Sequence, residues 1–561
     1  MYGNPFIDYL DQYNVLSPNH AKIYDEYTYD PGKDSYTFKI NTKIEKHLVK
    51  LFNDNPHSVI LTGNAGDGKT RLCRLVHDSF VDEGLKQWPI TGIIDIKFEK
   101  GTIRIVKDLS ELKEDIIHAE LSNLQRYINS NHENNIYYLI AANEGKLTKF
   151  LSQHEDLSSL RQLVAARFND NKSNDSDFSI INLLDVTSSM YVDKVLTEWN
   201  KEENWSSCSS CPIRKKCIIH LNHDRTSQEY IQKRLVEQYR LLDYLGTHIT
   251  MREMLIHISY ILTGGYTCKD IHNADYKKLE EQSKKPYYQN FYGHEIDLDA
   301  FSEMKALKIF RELDPGNQSI SVIDDFIMNG DISGQEEVEK LHNDLFDNNL
   351  DMQFGYFKKR LNIYRDHNKE SDDNLIDEWI YKLRRKLFFE IENENHLKRI
   401  ALLPFQYVQD YEEMIQNIQK RALIRKDLIN GLNRSFSKKL VSPLNELHAT
   451  TENLMIHSSY KLKQLAIEEE QKREEIDHLP SKFILVVDNE VELLLDLALF
   501  EYLMRLNSGD THNVLREDVE ILIDTFKNEL IRISEPDPYT LSILRLDKSK
   551  GLYIEDEILI P

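Results

Sequence analysis

The sequence predicts an α/β protein: a three-layer domain with a mainly parallel sheet, followed by a large, mostly α-helical region. Two observations lead to this fold class. Between about residues 58 and 183, short apolar runs alternate with helical patterns, which is typical of parallel strands joined by helices. After about residue 225, apolar residues recur at helical spacing through long segments with charged outer faces, which indicates packed helices.

Five regions follow one another along the chain. We predict an N-terminal arm (1–45), an α/β core (46–200), a cysteine-rich insert (201–225), a helical lid and loop region (226–320), and a mostly helical C-terminal region (321–561) with a short strand near 483–487. The arm carries turn signals at 17–19 and 31–32. The core strands are predicted at 58–62, 90–98, 102–107, 136–142 and 178–183.

Composition limits the function. The 561 residues include 70 Lys and Arg against 93 Asp and Glu, a formal charge of -23. A chain this acidic cannot bind a phosphate backbone by bulk attraction, so DNA contact requires a local basic face or a partner subunit. Five cysteines are too few for a disulfide framework. Since neither a membrane span nor a secretory signal is evident, we expect a cytoplasmic protein without membrane contact.

One motif gives the strongest indication of function. The pattern G-x-x-x-x-G-K-[ST] is matched by Gly63, Asn64, Ala65, Gly66, Asp67, Gly68, Lys69 and Thr70, between a predicted strand and a predicted helix. Glycines let the backbone wrap a phosphate chain, and N–H groups at the helix start would face the β- and γ-phosphates. We expect Lys69 to contact phosphate oxygens and Thr70 to bind Mg²⁺. The motif predicts a P-loop NTPase that binds and hydrolyses ATP.

Such a loop needs an acidic residue at the end of a neighbouring strand to hold the Mg²⁺ shell. We favour Asp108, which follows the apolar run 103–107, although Asp108 with Glu111 also resembles a helix N-cap. Asp95 competes but lies in mid-strand, and Asp488 lies far downstream.

The general base is left open between Glu111 and Glu144, because no adjacent Asp-Glu pair is present. Asn143 follows the strand 136–142 and is placed to orient the attacking water; a turn residue before Gly145 is the alternative.

This order of phosphate loop, acid strand and Asn strand resembles the AAA+ and STAND-like branch of P-loop NTPases. The resemblance implies a five-stranded nucleotide domain with a helical lid. In that lid, Arg252 looks like a second sensor arginine at the start of a helix; a surface helical arginine is the alternative.

The insert contains three cysteines at C-x₂-C-x₅-C spacing. This spacing fits a zinc site whose ligands are Cys208, Cys211, Cys217 and either His220 or His223. An iron–sulfur site is a weaker interpretation because no fourth cysteine lies nearby in the sequence, and reduced thiols without metal are a further alternative. We expect Cys73 and Cys268 to be structural.

Positive residues gather in two stretches, 382–386 and 420–439. At helical spacing Arg421, Arg425 and Lys426 share one face, and they could form a DNA-tracking surface. A solvated helix face paired with neighbouring acids is the alternative.

Together these features resemble the ATPase component (DptF) of bacterial DNA phosphorothioation-dependent restriction systems. The similarity covers most of the chain by order of features, but only the phosphate loop is a sharp motif. It implies anti-phage defence against DNA that lacks the modification, with helicase-like and nuclease-like companion subunits. Whether the chain forms a homo-oligomer is left open. A STAND-type nucleotide-dependent immune switch and an AAA+ DNA-remodelling loader are the alternatives.

Overall fold

The computed structural model describes residues 3–20, 40–130, 135–169, 178–347, 349–366, 373–392, 394, 397–451, 453–510, 517–535 and 539–560. The turn predicted at 31–32 lies outside these residues. The chain divides into two compact units. Unit 1 comprises Met1–Arg240, His248–Leu403 and Arg473–His478, and unit 2 comprises Leu241–Thr247, Pro404–Lys472 and Leu479–Pro561.

Unit 1 contains a five-stranded, mostly parallel sheet. Its strands are β1 (Ser58–Thr62), β2 (Ile93–Phe98), β3 (Gly101–Val106), β4 (Ile136–Ala142) and β5 (Phe178–Asn182). They lie in the order β2-β3-β4-β1-β5, and only β2 is antiparallel to its neighbour. All five residues of β1 are buried, which explains why this strand reads as a continuous apolar run. The predicted α/β class with a mainly parallel sheet is confirmed.

Register places the ends of the central strands side by side. Thr62, the last residue of β1, pairs with Ala142 on one side and with Asn182 on the other. Because parallel strands end at the same edge, the residues that follow β1, β3, β4 and β5 meet at that edge.

Helices account for most of the rest of unit 1, and the one that spans Glu229–Tyr244 ends in the segment of unit 2 that begins at Leu241. They are α1 (Pro5–Leu10), α2 (Lys43–Asp54), α3 (Lys69–Phe80), α4 (Glu114–Asn129), α5 (Glu144–Gln153), α6 (Ser158–Asn169), α7 (Ser188–Trp199), α8 (Glu202–Trp205), α9 (Ile218–Thr226), α10 (Glu229–Tyr244), α11 (Met251–Thr263), α12 (Cys268–His272), α13 (Tyr276–Ser283), α14 (Tyr287–Asn290), α15 (Leu298–Glu303), α16 (Lys305–Glu312), α17 (Ser321–Asn329), α18 (Glu336–Phe346), α19 (Tyr356–Asp366) and α20 (Asp373–Glu390). In the described part of the chain, none of the helices has the length and apolarity that crossing a membrane requires.

Unit 2 combines helices with two antiparallel sheets. Its elements are α21 (Val408–Gln416), α22 (Ile418–Ser437), β6 (Glu446–Thr450), β7 (Met455–Lys461), β8 (Leu465–Glu469), β9 (Phe483–Val487), β10 (Val491–Leu495), α23 (Leu497–Ser508), α24 (Glu517–Ile533), β11 (Thr540–Asp547) and β12 (Leu552–Leu559). One sheet has the order β10-β9-β8 and the other β12-β11-β7-β6.

The prediction of a mostly helical C-terminal region is therefore wrong beyond about residue 440. Within this region the segment 445–478 carries a helical pattern but forms β6, β7 and β8, whereas the strand predicted near 483–487 is present as β9. Strand β8 is rich in good helix formers, yet it is held extended by antiparallel pairing with β9 along its whole length. Tertiary pairing overrides local helix propensity here.

Helices α22 and α23 pack unusually closely. A Cβ atom added to Gly431 of α22 would lie 2.3 Å from the carbonyl oxygen of Leu503 in α23. Only glycine permits this approach, because any side chain would force the two helices apart.

We predict that Gly431→Ala destabilises unit 2 by about 1–3 kcal/mol through overpacking. Hydrogen exchange should become faster in both α22 and α23. The control is Gly145→Ala in α5, where the only close atom is 3.6 Å away and where alanine should be neutral or stabilising by up to about 1 kcal/mol. Unchanged exchange in Gly431→Ala would show that the helices are not packed this tightly.

Candidate functional site

The glycine-rich loop connects buried strand β1 to the start of α3. Gly66 has a φ of +104°, a conformation that other residues rarely adopt. A Cβ atom at Gly66 would also lie 3.0 Å from the Thr250 hydroxyl. The loop thus requires glycine at this position for both its backbone conformation and its contact with the segment before α11.

Lys69 is the first residue of α3, and its ammonium group turns back over the loop. The Nζ atom donates hydrogen bonds to the carbonyl oxygens of Gly63 at 2.8 Å and Asn64 at 2.7 Å. The residue is buried. Burial lowers the pKa of Lys69, whereas the carboxylates of Asp67 and Asp108 oppose that shift. The loop thus holds a buried ammonium group, with the carboxylates of Asp67 and Asp108 near it.

The side chain of Asp67 stabilises the loop through two polar contacts. Its Oδ2 atom accepts a hydrogen bond from the Asn64 N–H at 2.6 Å, and its Oδ1 atom lies 2.7 Å from Nε2 of His248. The Asp67 side chain is only 3% exposed. Sequence reasoning missed His248, because no spacing rule connects residues 181 positions apart.

The start of α11 also contacts the loop. The N–H group of Arg252 donates to the carbonyl oxygen of Gly66 at 3.2 Å. Thr250 and Glu253 form a capping box that fixes the first turn of α11. The charge of Arg252 contributes to lowering the pKa of Lys69, after the larger effect of burial, so the guanidinium lies within electrostatic reach of the loop lysine.

Asp108 follows β3 at the same sheet edge. Its carboxylate accepts hydrogen bonds from the Ser110 N–H at 2.8 Å and from the Ser110 hydroxyl at 2.6 Å. It thereby caps the short 3₁₀ turn Leu109–Glu111. Asp108 thus caps a turn and also lies near enough to Lys69 to affect its pKa. A capping role therefore does not exclude a role as the acid of the phosphate loop.

The two competing acids have other partners. Asp95 pairs across strands with Arg104, whose guanidinium lies 2.9 Å from it and also binds Glu120. Asp488 belongs to unit 2, in the turn between β9 and β10, where its carboxylate accepts hydrogen bonds from Gln464.

The base candidates lie in different surroundings. Glu111 is largely exposed and pairs with Lys107 at 2.8 Å. Glu144 begins α5, and its carboxylate accepts a hydrogen bond of 3.4 Å from the amide of Asn182 at the end of β5. Asn143 caps α5 by accepting from the N–H of Lys146 at 3.1 Å. Sequence reasoning missed Asn182, although its position at a strand end was a usable signal.

A mostly apolar cleft adjoins the loop. Its lining includes Ile44, Leu72, Leu183, Tyr191 and Met254, together with Gly68 of the loop. An apolar cleft beside a loop that ends in a lysine suits a ligand with a flat organic ring joined to an anionic chain.

The cysteine insert is built from tight turns. His220, the histidine predicted as a zinc ligand, accepts a hydrogen bond at its Nε2 atom from Arg214 at 2.9 Å. His223 stacks on Trp205 with ring centres 4.1 Å apart, and its Nδ1 atom lies 3.1 Å from the side-chain oxygen of Asn200. Neither histidine joins the three thiols, so the predicted ligand set Cys208, Cys211, Cys217 and His220 is not assembled. Among the described residues, no group of three or more His, Cys, Asp or Glu side chains stands ready to hold a metal ion.

The basic stretch 382–386 does not lie on the protein surface. Its charged residues are all buried: Lys382, Arg384, Arg385 and Lys386. The carboxylate partners are Asp324 for Arg384, Asp314 for Arg385, and Asp351 with Glu390 for Lys386. Burial lowers the pKa of Lys382 to about 8. The prediction of a DNA contact here is wrong, because these cations neutralise acids inside unit 1.

In the second stretch, 420–439, only some of the cations could contact DNA. Arg421 binds Glu469 and the carbonyl oxygen of Met414, and Arg425 donates to the carbonyl oxygen of Leu465. Arg434 donates to three carbonyl oxygens, those of Val441, Leu506 and Asn507. The exposed cations of the stretch are lysines: Lys426, Lys438 and Lys439. The predicted shared face of Arg421, Arg425 and Lys426 therefore serves mainly to hold unit 2 together.

Comparison with known proteins adds no relative: no family model, curated protein or solved structure matches the chain.

We predict that Arg385→Met strongly lowers the stability of unit 1. Arg385 makes two hydrogen bonds to Asp314, at 2.8 and 2.7 Å, with both side chains at most 3% exposed. Removing one partner of such a pair leaves a buried charge and costs about 3–5 kcal/mol. Thermal unfolding would measure the loss. Arg532→Met, which breaks an exposed pair with Glu529, should leave the midpoint unchanged; equal midpoints for the two variants would contradict the burial of 382–386.

Proposed function

We propose that this chain is a P-loop NTPase that binds ATP with Mg²⁺ at the loop 63–70 and hydrolyses it. The observation that carries the proposal is the loop itself, which joins the central parallel strand to a helix start and holds a buried lysine over its own backbone carbonyls. Strand, loop, lysine and helix in this order form an anion site of the kind that binds nucleotide phosphates.

The roles of the surrounding residues follow from their positions. Lys69 would contact the phosphate oxygens, and Thr70, one residue further into α3, would ligate Mg²⁺. Asp108 would complete the Mg²⁺ shell, because it follows β3 at the same edge of the sheet from which the loop emerges. The apolar cleft beside Gly68 would take the nucleobase.

For the general base, the surroundings favour Glu144 over Glu111. Lys107 neutralises the carboxylate of Glu111, whereas Glu144 is held by a neutral amide at the ends of β4 and β5, which flank β1. A carboxylate without a cationic partner is the better proton acceptor for an attacking water. Asn143, next to it, would orient that water through its amide.

We further propose that the ATPase belongs to a bacterial DNA restriction system that acts on DNA lacking phosphorothioate. This rests on the resemblance in the order of features to the DptF component. Since most of the basic residues at 382–386 and 420–439 are engaged within the protein, companion helicase-like and nuclease-like subunits would supply most of the DNA contact.

One observation favours the nucleotide-dependent switch as the second candidate. The segment before α11 is fastened to the loop by the bond between His248 and Asp67 and by the bond from the Arg252 N–H to Gly66. A ligand that changes the loop would move this segment, so occupancy alone could carry a signal. A single turnover per chain with a long-lived nucleotide would identify a switch, and continuous turnover would identify an ATPase.

We predict that Lys69→Ala weakens Mg²⁺–ATP binding about tenfold to 100-fold, because charge-assisted hydrogen bonds are worth about 1.5–3 kcal/mol each. Equilibrium binding of a fluorescent ATP analogue would measure the change. The control is Lys149→Ala, an exposed lysine on α5, which should bind as the unmodified protein does. If a folded Lys69→Ala protein bound the analogue as tightly as the unmodified protein, the loop would not be the nucleotide site.

A second prediction concerns the carboxylates. Asp108→Asn and Glu144→Gln should each reduce ATP turnover by about 100-fold or more, since both remove a charge that acts in the transition state. Their matched controls, Asp95→Asn and Glu111→Gln, should retain turnover within a few fold. Steady-state phosphate release, with and without DNA, gives the comparison. If a control loses activity and its counterpart does not, the assignment of that acid is wrong.

A further inference from the structure

The fourth cysteine that the sequence pattern lacked is supplied by α12. Cys268 is the first residue of that helix, 51 residues after Cys217 in the sequence. Its sulfur and that of Cys208 both accept hydrogen bonds from Asn4, and the sulfur of Cys211 lies 3.6 Å from a histidine of the same helix α12. The fold therefore brings Cys268 next to the insert that carries Cys208, Cys211 and Cys217.

Asn4 links two of these sulfurs. Its backbone N–H donates to Sγ of Cys268 at 3.3 Å, and its side-chain amide donates to Sγ of Cys208 at 3.4 Å. Asn4 is 2% exposed and also caps α1. A residue at the N-terminal segment thus bridges the insert and α12, which are far apart in the sequence.

The other two cysteines of the insert lie close to a helix end. Cys217 is the N-cap residue of α9. Sγ of Cys211 lies 3.6 Å from Nε2 of His272, at the end of α12. Helix α12 therefore meets the insert through His272 at its C-terminal end.

The insert has little else to order it. Between Trp205 and Ile218 the chain has no buried hydrophobic residue, and all of this segment lies within the described residues. Its turns are nevertheless well defined, with successive N–H to carbonyl bonds from Cys208 to Cys217. A segment without an apolar core commonly obtains its folding energy from a bound metal.

We propose that Cys208, Cys211, Cys217 and Cys268 ligate one thiolate-bound metal centre that fastens the insert to α12 and to the N-terminal segment. Four thiolates suit either a zinc ion or an iron–sulfur cluster. Binding would require the four side chains to converge, since among the described residues no group of three or more His, Cys, Asp or Glu side chains is placed to hold a metal ion. His220 remains outside the centre, bonded to Arg214. This proposal is independent of the nucleotide site.

The test is the metal content of full-length protein purified anaerobically under reducing conditions without chelator. Elemental and sulfide analysis should give about one zinc per chain, or about four irons with as much sulfide; the two results distinguish the metals. Cys268→Ser should lose most of the bound metal, because three thiolates hold a metal more weakly than four. The controls His220→Gln and Cys73→Ser, the latter at the buried cysteine of α3, should keep it. Protein without metal, or full metal content in Cys268→Ser, would overturn the proposal.

A measurement on unmodified protein covers the case in which Cys268→Ser fails to fold. Titration with a mercurial reagent should release the metal as four thiols react. Release complete after three thiols, together with loss of metal in His220→Gln, would instead establish the set of three cysteines and a histidine and would also overturn the proposal.

Discussion

The central position of β1 is the constraint on which the candidate site depends. Because β1 lies between β4 and β5 and is buried along its whole length, the loop that follows it must leave the sheet between two other strand ends. Asn143 and Glu144 follow one of those strands, and Asn182 ends the other. Lys69 then closes the loop by binding the carbonyl oxygens of Gly63 and Asn64. A phosphate at this loop would take over the ammonium group of Lys69 from these two carbonyl oxygens.

The parts of this site that sequence could predict are those governed by local rules. The glycine positions and Lys69 follow from a fixed spacing, and Asp108 and Asn143 follow from their places after apolar runs. His248 and Cys268 could not be predicted in the same way, because their contacts depend on where α11 and α12 pack. Long-range packing has no sequence period, so these residues are visible only once the fold is known.

The same limit explains the errors in the C-terminal half. The segment 445–478 contains Lys, Glu and Leu at helical spacing, but pairing with β9 and β11 decides its structure. The prediction that the cations at 382–386 contact DNA is wrong for a related reason. In a chain with a net charge of -23, a run of cations looks like a surface for an anionic partner. Arg385 and Lys386 instead lie inside unit 1 against Asp314 and Asp351, where each buried carboxylate requires a cation.

The measurement that tests the central claim most directly is a structure of the full-length protein with Mg²⁺ and a non-hydrolysable ATP analogue. We expect the β- and γ-phosphates to lie over residues 63–70, with Nζ of Lys69 in contact with them and Asp108 in the Mg²⁺ shell. An empty loop at saturating analogue, or a nucleotide bound elsewhere in the protein, would contradict the account.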